Sequence, residues 1–239
     1  MKPLIGITVE GKRDEADARS GGSMTLNWNY AQVVSDAGGV PLIIPPMADM
    51  AAVSKVIHGW LIPGGSDIDP GRYGEAKHPE AKLQDPSRYE GEAALYKAAP
   101  LDLPILGICY GCQFLNVVRG GSLDQHIPDQ LGHTRHEGGT VERHRVEPSQ
   151  LARLLQTDEV EGRSYHHQAI ARVGEGLRIT SRDHEGVIEA VEAEDRPWLI
   201  GVQWHPERTA TDPVTNRLFV GFIDAARQYA GREKVVGTW

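Results

Sequence analysis

Apolar residues occur in this chain at two spacings. Short unbroken runs predict buried strands, and stretches where apolar residues recur every three or four positions predict amphipathic helices. "LIGITV" (4–9) is the first such run, followed by a polar loop rich in charge and Gly through Gly22. Over 25–37, Leu26, Tyr30, Val33, Val34 and Ala37 fall at helical spacing, and Gly38-Gly39 ends the pattern. A strand at 40–44, a short helix over 48–58 and a strand at 60–62 come next, the last running into Pro63-Gly64-Gly65. The polar stretch 66–84 reads as a long loop of the lid or binding type, with few apolar anchors. Asp85-Pro86 opens a helix, Asp as cap and Pro in the first turn. A strand at 103–109 leads into a helix over 110–119, closed by Gly120-Gly121.

The second half has more strand character, at 140–146, 177–182, 187–193 and 198–204. Within it "VIEAVEA" alternates apolar and polar residues, which predicts a half-exposed antiparallel strand. A last helix from Asp212-Pro213 buries Leu218, Phe219, Phe222, Ile223 and Ala226. This order predicts one α/β domain over residues 1–239. Its central sheet is mostly parallel and flanked by helices, with a smaller antiparallel strand region.

Composition narrows the function classes. The chain has 239 residues, 40% of them apolar, enough for a sizeable core. A formal charge of −8 argues against nucleic acid or an anionic membrane as partner. The apolar runs are too short to span a bilayer, and the N-terminus lacks the apolar region of a secretory signal. Two cysteines build no disulfide framework, which fits a reducing compartment. A soluble, cytoplasmic protein is expected.

Both cysteines lie in "GICYGCQ" (107–113). A redox pair would suit the helix start but not a late strand. A metal site needs two more ligands, and among His126, His133 and His136 no spacing is diagnostic. Small buried cysteines packing behind a strand are also common. A fourth reading uses the glycines: Gly107-Ile108-Cys109-Tyr110-Gly111 has the form of the G-x-S-x-G nucleophile elbow with Cys for Ser. There the chain turns sharply from strand to helix, and Gly removes side chains that would collide. The sulfur sits at a helix N-terminus, where backbone N–H groups favour thiolate. This context selects Cys109 as nucleophile and assigns Cys112 to packing.

A thiolate nucleophile wants a histidine to take and return protons. Of ten, His58 and His78 read as surface or loop residues, and His133, His136 and His144 as solvated. His205 differs, because "IGVQWHPE" (200–207) places it at the end of a core strand. Pro206 keeps His205 extended, and residues two apart in an extended chain share a side, so Glu207 can orient the imidazole. Pro63-Gly64-Gly65 also ends a strand and can offer backbone N–H groups to an oxyanion.

Together these residues resemble the class I glutamine amidotransferase superfamily. "IPGGSDIDPGRYGE" (62–75), "SYHHQAI" (164–170), "VIEAVE" (187–192) and "GVQWHPE" (201–207) are most similar to its peptidase C26 branch of γ-glutamyl-γ-aminobutyrate hydrolases. The resemblance covers nearly the whole chain. It implies a flavodoxin-like sheet, and a triad of Cys109 as nucleophile, His205 as base and acid, and Glu207 as orienter. It implies an oxyanion hole from the N–H groups of Gly65 and Tyr110, with Gln113, His166, His167 and Gln168 beside the substrate. At Tyr110 the hydrolase branch commonly carries Arg, whereas Tyr is more usual in amidotransferase domains that feed a synthase.

The expected reaction is hydrolysis of a γ-glutamyl amide through a γ-glutamyl thioester, with no metal and no organic cofactor. Arg88, Asp67 and Gln113 are candidates for gripping the α-amino and α-carboxylate groups. The expected partner is a small γ-glutamyl molecule, with room for a homodimer, no nucleic acid and no membrane. Two rivals stand beside this: a glutaminase subunit feeding a separate synthase, and a non-catalytic binding protein on the same fold. The chain carries no P-loop and no Rossmann glycine pattern of its own.

Overall fold

The computed structural model describes residues 1–236, with side chains through residue 232. Its centre is a nine-stranded sheet. The parallel part contains β1 (Leu4–Thr8), and the hairpin of β2 (Glu10–Arg13) and β3 (Gly22–Thr25) follows it outside the sheet. Next come β4 (Val40–Ile44), β5 (Gly59–Ile62) and β6 (Ile105–Ile108). A short β7 (Leu123–Asp124) precedes β8 (Val141–Val146) and β9 (Glu159–Arg163). A short β10 (Ala169–Ile170), which pairs with β7, precedes β11 (Leu177–Asp183), β12 (Ile188–Ala193) and β13 (Leu199–Val202). The order is β4-β1-β5-β6-β13-β12-β11-β8-β9. Pairing is parallel from β4 through β13 and antiparallel from there to β9.

The helices are α1 (Trp28–Asp36), α2 (Met50–Val53), α3 (Pro86–Ala98), α4 (Tyr110–Val117), α5 (Pro128–Leu131), α6 (Gln150–Leu155) and α7 (Pro213–Val236). Asp85 caps α3 by accepting the Ser87 N–H, and Pro86 occupies its first turn. α7 buries Leu218, Phe219, Phe222, Ile223 and Ala226 against the sheet, each at most 1% exposed. One core joins these to α1 and the strands, and a second packs around α4, Trp60 and Leu95. Among the described residues, no helix is long and apolar enough to cross a membrane.

The structure changes several sequence expectations. Residues 10–25 form a hairpin, because the charged loop pairs its ends from Glu10↔Thr25 to Arg13↔Gly22. The helix over 48–58 shrinks to α2, capped by Asp49. β12 is antiparallel as expected but not half-exposed: Glu189 and Glu192 are buried, because neighbours cover both of its faces. Glu192 accepts the Gln150 and Leu151 N–H groups and so closes the α6 N-terminus. His136 and His144 are not solvated but fully buried between strands. The loop 66–84 is better anchored than its polar sequence suggests. Ile68 and Ala81 are buried, and Asp67 ties its ends through the Lys82 N–H and carbonyl and the Gln84 N–H.

Candidate active site

Cys109 follows β6 and caps α4 with φ 52° and ψ −106°, a region that non-glycine residues rarely enter. Such strain costs on the order of 1–3 kcal/mol and persists only where the surroundings enforce it. The enforcement is visible. The Cys109 N–H donates to the Val202 carbonyl at 2.8 Å, and the Gln113 N–H to the Cys109 carbonyl at 3.1 Å. A Cβ on Gly107 would lie 2.6 Å from the Gly111 backbone, and one on Gly111 would lie 2.2 Å from the Ile62 carbonyl oxygen. Both glycines are therefore required for the turn to pack.

His205 follows β13 and is held by its N–H on the Arg163 carbonyl, 3.0 Å away. Its Nδ1 lies 2.7 Å from Glu207 Oε1. The backbone after His205 coils into a 3-10 turn at 206–208 instead of staying extended, yet the predicted pair still forms. Burial disfavours a charged imidazole here. The charge of Cys109, its hydrogen bond and the Glu207 carboxylate outweigh burial and push the His205 pKa up to about 10. The environment thus favours an imidazolium beside the Cys109 sulfur, oriented by Glu207.

Arg88, Asp67 and Gln113 each have partners within the protein. Arg88 is 1% exposed and donates to Glu92, to the Pro63 carbonyl at 2.8 Å and to the Gly64 carbonyl at 3.3 Å. Its guanidinium stacks on the Tyr110 ring at 3.9 Å. It is a support of the Pro63-Gly64-Gly65 turn, not a substrate grip. A trans peptide aims its N–H opposite to its C=O. Holding the Gly64 carbonyl on Arg88 therefore turns the Gly65 N–H away from Arg88, and that N–H has no hydrogen bond among the described residues. Gly65 must lack a side chain, since a Cβ would lie 1.9 Å from Arg88 Nη1. The Tyr110 N–H, in the first turn of α4, has no helical partner either. The Tyr110 side chain points into the core, where its hydroxyl donates to Glu92 at 2.6 Å.

Gln113 spans the Gln168 carbonyl and Gln203. His167 pairs with Asp67 at 3.1 Å, His166 contacts the Gln168 carbonyl at 2.9 Å, and the Gln168 side chain reaches the Gln125 carbonyl. These four do not line the cleft beside Cys109; Tyr165 of the same segment does, with its ring edge-on to His205. Cys112 is buried against Gly201, and burial, then Glu189 and Cys109, push its thiol well up.

The cleft, about 240 Å³, opens at the C-terminal ends of the parallel strands. Glu10, Thr25, Leu26, Asn27, Tyr30 and Arg208 wall it around Cys109 and His205. None of these six was singled out for the site by the sequence. The Tyr30 hydroxyl accepts the Gly64 N–H at 3.0 Å and sits 3.5 Å from His205 Nδ1. Burial, then the Glu207 and Cys109 charges, hold it well above the usual phenol range, so it stays a neutral donor. Glu10 and Arg208 supply one charge of each sign.

The peptidase C26 family model matches residues 3–207. The chain is 37% identical over 242 residues to "Putative glutamine amidotransferase Rv2859c" of Mycobacterium tuberculosis, covering 97% of this chain and 77% of the relative. It is 31% identical over 252 residues to the "Gamma-glutamyl-gamma-aminobutyrate hydrolase PuuD" of Escherichia coli, covering 97% and 96%. The crystal structure of a "putative gmp synthase subunit a protein" from Thermoplasma acidophilum shares the fold, with TM-score 0.69 at 16% identity over 98% and 99% of the two chains.

Proposed function

The chain belongs to the peptidase C26 family of glutamine amidotransferase-like hydrolases, and on that premise we propose that it hydrolyses γ-glutamyl amides of small amines. The observation that carries this reading is the strained Cys109 at a helix N-terminus beside a His205–Glu207 pair.

Cys109 Sγ attacks the γ-carbonyl carbon. The oxyanion that forms is received by the N–H groups of Gly65 and Tyr110, each donor lowering the barrier by about 2.7–4 kcal/mol. The C–N bond breaks as protonated His205 gives its proton to the departing amine, leaving a γ-glutamyl thioester. His205 then takes a proton from water, whose oxygen attacks the thioester carbon. The C–S bond breaks, glutamate leaves and the thiolate is restored. Glu207 holds the imidazole in the tautomer that both steps require.

The glutamyl head carries an ammonium and a carboxylate. Besides His205, Glu10 and Arg208 are the charged groups of the cleft wall. Glu10 also lies 3.8 Å from Arg88 and Arg208 3.5 Å from Glu207, but both are partly exposed to the cleft and suit the ammonium and the carboxylate in turn. The amine portion extends along Thr25, Leu26 and Asn27, where the β2–β3 hairpin meets α1.

The isolated chain, incubated with a panel of γ-glutamyl amines and with glutamine, should release glutamate from the amines without any partner and faster than from glutamine. Activity on glutamine alone, appearing only with an added synthase, would favour an ammonia-supplying subunit. No turnover of any substrate would favour a binding protein.

A further inference from the structure

A second polar cluster lies under the antiparallel strands, apart from the catalytic residues. It gathers His136 from a 3-10 turn at 135–137, His144 from β8, His166 from the loop before β10, Asp183 at the end of β11 and Glu189 from β12. His136, His144, His166 and Glu189 are each at most 4% exposed. Both carboxylate oxygens of Glu189, both ring nitrogens of His144 and Nε2 of His166 have no hydrogen-bond partner among the described residues. Buried polar atoms are normally satisfied, and a buried carboxylate without a partner is especially costly.

The orientation of two rings sharpens the puzzle. His166 Nδ1 lies 2.9 Å from the Gln168 carbonyl oxygen, which only accepts, so Nδ1 carries the proton. Its Nε2 then directs a lone pair at Glu189 Oε1, 3.5 Å away. His136 Nε2 faces Asp183 Oδ2 at 3.3 Å, which favours the proton on Nε2. Its Nδ1 then accepts from the Ser164 hydroxyl at 3.1 Å and also faces the same Oε1 of Glu189 at 4.0 Å. The unpaired His166 lone pair and the unpaired Glu189 carboxylate converge in a dry interior and repel one another unless a cation or a proton lies between them.

We propose that His136, His166 and Glu189 bind one divalent transition-metal ion of the zinc class. The three donor atoms lie within 4.8 Å of one another. Bonds of about 2.0–2.2 Å in a tetrahedral site put ligand atoms about 3.3–3.6 Å apart, so the three donor atoms would draw together on binding. Two imidazoles and one carboxylate suit zinc, and not calcium or magnesium. The Gln168 carbonyl holds the outer nitrogen of His166 and Asp183 Oδ2 faces that of His136 at 3.3 Å, as outer-shell acceptors do for metal-bound imidazole. The Ser164 hydroxyl, 3.1 Å from His136 Nδ1, is at hand for a fourth position. The role is structural: the ion joins β12 to the segment that carries Tyr165 to the cleft. Its competitor is a proton. Burial opposes a charged His136, yet Asp183 and Glu189 hold its proton above the usual imidazole range.

The test uses the full chain without a polyhistidine tag. Mass spectrometry of the purified protein should find about one equivalent of zinc per chain. After refolding with cobalt(II), visible d–d bands of a tetrahedral site should appear without a thiolate-to-metal charge-transfer band. Cys109→Ala should keep the ion; His166→Ala and Glu189→Gln should lose it. Should those two variants fail to fold, the cobalt spectra of the wild type and of Cys109→Ala decide. A chain that holds no ion as purified and shows no cobalt bands after refolding overturns the proposal in favour of the proton. So does a charge-transfer band that vanishes in Cys109→Ala, which would put the ion on the nucleophile.

Discussion

The two buried polar groups on either side of β13 handle the cost of burial in opposite ways. Around Cys109 most polar side-chain atoms are paired: His205 with Glu207, Arg88 with Glu92 and two carbonyls, Tyr110 with Glu92, while Glu207 Oε2 lacks a partner. The cost there sits in one backbone residue held at φ 52°. Around Glu189 no comparable strain occurs among the described residues, and the cost sits in side chains whose polar atoms lack partners. Backbone strain beside nearly complete pairing marks a group held ready to react. Unpaired buried groups mark a place where something else, a metal ion or a proton, must complete the structure.

The largest test of this contrast strikes the strained residue. Cys109→Gly should abolish turnover and raise stability by about 1 kcal/mol, since glycine accepts the left-handed backbone without penalty. His205→Ala should cost on the order of 10³-fold in kcat, Glu207→Gln less, and the Cys109–His205 double variant little more than either single one. Kinetics and urea unfolding check both, and additive losses would mean that the two residues do not act as a unit. Next in size is Arg88→Met, which leaves Glu92 buried without its cation. A stability loss of about 3–5 kcal/mol is expected in denaturant titrations. An unchanged midpoint would show that pairing on this side contributes little.

The pH dependence is smaller and has a definite sign. The folded pKa of His205, about 10, lies above its ordinary value of 6.5. Its contribution to stability is therefore complete below pH 6.5 and is lost as pH rises through 10. Burial opposes that proton, and Cys109 is the strongest of the groups that hold it. Cys109→Ala should move the loss to lower pH, visible in His205 ring NMR signals and in unfolding midpoints. Identical profiles in the two proteins would break the coupling between nucleophile and base. Smallest of all, Cys112→Ala should keep most activity under reducing conditions and cost about 1 kcal/mol or less, the worth of a methylene-sized group. A Cys112 variant as inactive as Cys109→Ala would return the pair to dithiol chemistry.

The elbow was legible because its physics is local. Two glycines flanking a cysteine at a strand–helix junction describe the turn in five residues, and Trp204-His205-Pro206-Glu207 does the same for the base and its neighbour. The walls of the cleft were not legible. Glu10 belongs to a hairpin whose charged sequence reads as loop, Thr25 opens a stretch that reads as helix, and Tyr30 carries the helical spacing of any core residue. Arg88 looked available because arginine is usually exposed; only the packing of α3 against the Pro63-Gly64 turn reveals where its donors go.

Unaided, the sequence determined the α/β alternation, the switch from parallel to antiparallel strands, and the placing of the cysteine and the histidine each at a strand end. These follow from periodicity and backbone sterics, which act over a few residues. The tertiary structure alone decided which polar residues are buried and what they meet. His136 and His144 lie in a stretch that reads as solvated, and Glu189 in a strand that reads as half-exposed. Burial belongs to the sheet order, which places β12 between β13 and β11 and closes helices and loops over both faces. Desolvation depends on that whole environment, and no spacing along the chain encodes it.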